Sequence, residues 1–173
     1  SALDPNDLAR IETEPDHVAI ILTVPKSYKP EDGLEFTVTS VGMFLFDDSL
    51  IIVMSEYNEM FDNRQFSSVT RIVEIMLKVV NQSIQHFRSH LLVIDKVSEE
   101  LADKISPSME NKALLQLFTL EKSLVYYLNG ITSNGALMRR IKNQSTRLRF
   151  TQDDAELLDD IIIENNQCYK QAE

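Results

Sequence analysis

Residues 111–141 read NKALLQLFTLEKSLVYYLNGITSNGALMRRI, and their spacing decides the fold class. Leu117, Leu120, Leu124, Tyr127, Ile131, Asn134, Met138 and Ile141 alternate three- and four-residue steps, which is a heptad seam on one long helix. Ser108 and Asn111 offer capping chemistry at its start. Gly130 and Gly135 lie inside the run. Each costs about 1 kcal/mol of helix propensity relative to Ala, so each marks a close helix contact or a local bend.

Upstream, a second helical period runs from about Ser67. Val69, Ile72, Met76, Val79 and Val80 share a face that Ile84, Phe87, Leu91, Ile94 and Leu101 carry onward, with no helix breaker before Pro107. That length exceeds the usual globular helix and has the character of a coiled-coil or stalk element. Downstream, the polar and basic connection KNQSTRLRF leads to a third helix with Thr151 as N-cap and Asp153 and Asp154 in its first turn. Its apolar steps are Ala155, Leu158, Ile162, Asn165, Tyr169 and Ala172. With neither Gly nor Pro after them, Glu173 is expected to cut through a continuing helix.

The first third reads as strands. His17 to Val24 is apolar on both faces, the pattern of a buried strand, and Pro25 ends it. Asp32-Gly33 signals a turn, after which Leu34, Phe36 and Val38 alternate with polar residues as a half-buried strand does. The apolar run continues to Phe46, and Asp47-Asp48-Ser49 connects it tightly to LIIVM, a hairpin. The expected fold class is therefore α/β (α+β): a small mixed sheet packed by long antiparallel helices. Residues 1–66 form its β-rich part, 67–150 a long helical hairpin and 151–173 the start of a further helix, all within one structural domain.

Composition narrows the function. Lys and Arg total 17 against 27 Asp and Glu, a formal charge of −10, and such a surface repels phosphate backbones, so nucleic acid is not an expected partner. A single cysteine, Cys168, excludes an internal disulfide framework. The apolar runs are far too short to span a bilayer. Only four glycines occur, none in a phosphate-binding loop, and there is no HExxH or Ser-His-acid arrangement, which leaves an enzyme reading without support.

Three stretches, in order, resemble the CorA family of magnesium and cobalt transporters. Ala9-Arg10-Ile11-Glu12 followed by HVAIILTVPK looks like the family's arginine-x-glutamate strand and the apolar strand after it. DGLEFTVTSVGMFLFDDSLIIVMSE resembles the next pair of strands. NKALLQLFTLEKSLVYYLNGITSNGALMRRI and DAELLDDIIIENNQCYKQAE look like the helices that lead into the first membrane span. The resemblance implies a homopentamer on the cytoplasmic face of a bacterial inner membrane. It also implies attachment through membrane helices beyond Glu173 that bear the Gly-Met-Asn signature, which is not found in this sequence. The implied role is ion-responsive gating and assembly, with magnesium or cobalt as transported and regulatory ion and no other cofactor. Asp160, with Asp159 beside it, matches the stalk-helix aspartate of the family's intersubunit ion site. The neighbour's aspartate would fall at or just before Ser1; Asp4 is close but is not the matching position. The alternatives are a zinc-transporting relative of the same fold and a soluble adaptor that uses its heptad seams to bind partner helices.

Simpler roles are expected for the remaining polar residues. Asp153, Asp154 and Glu156 suit a solvated acidic helix start, and Asn165 at a seam position suits a register-setting residue. His86 and His90, four apart, lack an evident third metal ligand and read as surface histidines. Arg139, Arg140, Lys142, Arg147 and Arg149 read as a solvated basic connection.

Overall fold

The computed structural model describes residues 8–28, 33–55, 66–103 and 110–173. Four strands, β1 (Arg10–Thr13), β2 (Val18–Pro25), β3 (Val38–Leu45) and β4 (Leu50–Met54), lie side by side in chain order. Every pairing is antiparallel, because each strand reverses directly onto the next. The mixed pairing expected of the sheet thus gives way to a purely antiparallel one among the described residues, within the expected α/β class. β2 is buried along its whole length, as its unbroken apolar run requires. Ile20 opposes Met43 and Leu22 opposes Val41, and all four are core residues. The β3–β4 hairpin closes where expected, with the Phe46 N–H donating to the Ser49 carbonyl at 2.9 Å.

β3 begins at Val38, four residues later than the alternation at Leu34 suggested. Gly33 and Leu34 both have left-handed backbone, at φ 64° and 71°, which no strand accommodates. Phe36 is buried all the same. Its N–H donates to Ser123 Oγ at 2.9 Å, and its ring stacks on Tyr28 with centroids 4.4 Å apart. The apolar residue at that position belongs to a loop that plugs the core, and alternation alone does not separate the two.

Three helices follow: α1 (Ile72–Asp103) and α2 (Glu110–Asn143) pack on the sheet, and α3 (Gln152–Ala172) packs on those two helices. The α1 face is the one its period predicts, with Met76, Val79, Val80, Ile84, Phe87, Leu91 and Ile94 buried. The expected cap and breaker at Ser108 and Pro107 lie outside the described residues. On α2 the seam is buried from Leu120 through Tyr127, Ile131, Asn134, Met138 and Ile141. It packs within this chain, which removes it as a docking seam for the partner helices of an adaptor. On α3 the buried line is Asp154, Leu158, Ile161, Asn165, Cys168 and Ala172. Ile161 and Cys168 thus replace the expected Ile162 and Tyr169, a rotation of one residue. α2 runs antiparallel to both neighbours, as Asn165 Nδ2 donating to Ile131 O and Lys142 pairing with Asp159 show for α3.

Polar side chains of α1 and α2 complete the sheet's backbone hydrogen bonding. β1 pairs with β2 only as far as Ile21. Beyond it, Asn134 takes the place of a strand: its Oδ1 accepts from the Thr23 N–H at 3.0 Å and its Nδ2 donates to the Thr23 carbonyl at 2.7 Å. Ser133 Oγ accepts from the Ala9 N–H at 2.6 Å, and Ser83 Oγ donates to the Thr23 carbonyl at 3.1 Å. Buried backbone groups left unpaired would each cost about 1–3 kcal/mol.

Candidate functional site

α3 starts at a fixed point. Thr151 Oγ1 accepts from the Asp154 N–H at 3.2 Å while Asp154 Oδ2 accepts from the Thr151 N–H at 2.8 Å, a reciprocal capping box. Asp154 is only 5% exposed and also receives Arg71 Nη1 at 2.6 Å. It is therefore no solvated acid, as the sequence had suggested. Burial works to raise its pKa, but the hydrogen bonds from Thr151 and Arg71 outweigh burial and hold it below the usual carboxylate value. Arg71 Nη2 also donates to the Arg149 carbonyl at 3.0 Å, so one guanidinium ties the start of α1 to the start of α3.

Asp159 and Asp160 follow one and a half turns later. Asp159 Oδ1 lies 2.5 Å from Lys142 Nζ, a half-exposed pair between α3 and α2. Asp160 is exposed on the outer side of α3, with Asp153, Glu156 and Ile163 on the same side. It has no ion pair among the described residues. No group of three or more His, Cys, Asp or Glu side chains that could hold a metal exists among the described residues. The two aspartates therefore form no metal-holding group with other described residues of this chain, and Asp4 and Ser1 lie outside the described residues.

The histidines are not surface residues. His86 and His90 are both half-buried, with ring centroids 4.4 Å apart, and His90 Nδ1 lies 2.5 Å from the Tyr127 hydroxyl. Burial, with the nearby His86 charge, lowers the His90 pKa to about 4.

A cleft of about 660 Å³ opens at the end of the molecule where α1 and α3 begin. Four separate reversals and helix starts line it: Glu14–Val18, Leu45–Asp47, Thr70–Val73 and Arg147–Arg149 with Thr151. Sequence reading placed Arg147 and Arg149 in a solvated connection and did not single out Arg71. The Thr-x-x-Asp capping pattern at Thr151 was the only local signal for this corner.

A model of the CorA-like Mg2+ transporter protein family matches residues 1–173. The chain belongs to the CorA-like Mg2+ transporter family. The CorA-like fold is shared with the soluble domain of CorA from Methanocaldococcus jannaschii at TM-score 0.85 and 19% identity, covering 99% of this chain and 70% of that one. The complete CorA magnesium transporter from the same organism aligns at TM-score 0.82 and 20% identity, covering 99% of this chain. This CorA-like chain spans 55% of that transporter's length. The ZntB cytoplasmic domain from Vibrio parahaemolyticus RIMD 2210633 aligns at TM-score 0.65 and 13% identity over 96% of this chain and 70% of that one. No curated protein matches the sequence. No helix among the described residues is long and apolar enough to cross a membrane.

Proposed function

We propose that the chain is the cytoplasmic regulatory and assembly domain of a divalent-cation channel-type transporter, with magnesium or cobalt as both cargo and regulator, and that it is not an enzyme. The family match over residues 1–173 carries this reading, and the fold shared with the CorA soluble domain supports it. In this reading residues 1–66, 67–150 and 151–173 work as one domain on the inner face of a bacterial cell membrane. α3 is the start of a stalk, and copies assemble as a homopentamer.

Asp160 is the ligand that this chain offers to an intersubunit ion. Its exposed carboxylate has no ion pair among the described residues, whereas Asp159 is held by Lys142. Carboxylates from two subunits repel until a hard cation bridges them, so occupancy reports ion concentration and biases the subunit arrangement. The zinc-transporting alternative draws on the likeness to the ZntB cytoplasmic domain.

Millimolar magnesium is expected to raise the melting temperature by about 2–4 °C over a control of matched ionic strength, and to speed sedimentation. Asp160→Asn removes that response and Asp103→Asn leaves it. Equal effects of the two substitutions would assign the response to general screening and sink the Asp160 site. Zinc flux without magnesium flux, in vesicles carrying the full-length protein, would shift the reading to the zinc transporter.

A further inference from the structure

We propose that the cleft where α1 and α3 begin binds a nucleotide whose phosphates carry a divalent cation. Its volume, about 660 Å³, suits a ligand of that size. Two of its three guanidinium groups are nearly uncommitted. Among the described residues, Arg147 makes one hydrogen bond, a 3.4 Å contact from Nη2 to the Glu14 carbonyl. Arg149 stands 3.7 Å from Asp47, and both side chains are more than four-fifths exposed, at 81% and 94%. Planar guanidinium forks match phosphate oxygens two at a time. Arg71 also lines the cleft but is already bound to Asp154, Thr151 and the Arg149 carbonyl.

The lining also includes an aromatic pair. His17 and Phe46 stack with centroids 5.1 Å apart and 26° between planes, and both line the cleft. Such a surface accepts a planar base without demanding one sequence of hydrogen bonds. The carboxylates decide the form of the ligand. Glu14, Asp16 and Asp47 line the same cleft as the three arginines, so a bare polyphosphate meets repulsion along with attraction. A magnesium ion on the phosphates resolves the conflict, because Mg2+ is typically held by one or two carboxylates together with phosphate oxygens. This inference does not depend on the ion site of α3, since Asp160 is not among the lining residues.

Calorimetric titration of the chain with ADP and magnesium tests it. Saturable binding is expected, about tenfold tighter than for ADP in EDTA or for magnesium pyrophosphate. The double variant Arg147→Ala/Arg149→Ala weakens binding about tenfold or more with an unchanged melting temperature. Lys112→Ala/Lys122→Ala, the same charge change elsewhere, and Asp160→Asn both leave it unaltered. Absence of saturable binding, pyrophosphate binding as tight as ADP, or equal loss in the lysine variant would each overturn the proposal.

Discussion

The His90 ring lies nearly parallel to Tyr127, 6.1 Å between centroids, and edge-on to Phe36 at 5.5 Å. A proton there is unwelcome, and the pKa falls from 6.5 to about 4. The folded state therefore binds that proton more weakly than the unfolded chain does. Stability from neutral His90 is complete above about pH 6.5, declines as pH falls through the window between the two values, and is gone below about pH 4. Allowing for the ring's partial contact with water, the loss is roughly 1–2 kcal/mol. Urea denaturation at pH 7.5 and pH 5 should show this drop, and His90→Asn, which keeps a hydrogen-bonding group toward Tyr127, should flatten it. A variant as pH-sensitive as the parent would place the titration elsewhere. Nothing in a two-histidine, four-residue spacing foretells this environment, because Phe36 and Tyr127 reach the ring from a loop and a second helix.

At the level of elements, α3 was legible in its start and cap and misread in its rotation. Thr151 and Asp154 announce the N-terminus through local chemistry, and the structure has that cap. Ile162 and Tyr169 step correctly along the helix but lie one residue off the buried line. Ile161, Ile162 and Ile163 are equally apolar, so only the packing of α1 and α2 chooses among them. The same limit hid Arg71, which acts 83 residues away from its partner. Removing that partner, in Asp154→Ala, deletes the capping box and leaves the guanidinium half-buried without its carboxylate. The expected cost is about 3 kcal/mol in chemical denaturation, against less than about 0.5 for Asp153→Ala on the exposed side of the same turn. Equal costs would mean that the Arg71 tie contributes nothing. For Asp159 and Asp160 the sequence supplied the position on the helix and the family resemblance an expected role; among the described residues no metal-holding group forms around them.

At the level of the whole molecule, Gly130 sits where the sheet, α1 and α2 meet closely. A Cβ built there would lie 2.9 Å from Thr23 Cγ2 and 3.1 Å from Phe87 Cζ. The glycine thus marks close contact, not the local bend that the sequence left open. Gly130→Ala gains about 1 kcal/mol of helix propensity yet should destabilise the domain by about 1–3 kcal/mol, because β2 and α1 must both yield. A melting temperature equal to or above the parent's would show that the junction has slack. β2, the β3–β4 hairpin, the helices and the core faces of α1 and α2 could be read from the residue pattern, whereas β1 came from the family resemblance and the start of β3 was misplaced. The junction could not be read, since it joins residues more than 100 positions apart.

That separation also acts in time. The Thr23 backbone waits for Asn134, 111 residues later, and the Ala9 N–H for Ser133, 124 residues later. At synthesis rates of 5–20 residues per second, the nascent sheet spends about 5–20 seconds outside the ribosome with one edge open before its closing amide emerges. A growing chain in that interval exposes a strand template to any neighbour, so chaperone dependence should be greatest during synthesis of α1, and slow codons placed between residues 83 and 134 should lower soluble yield.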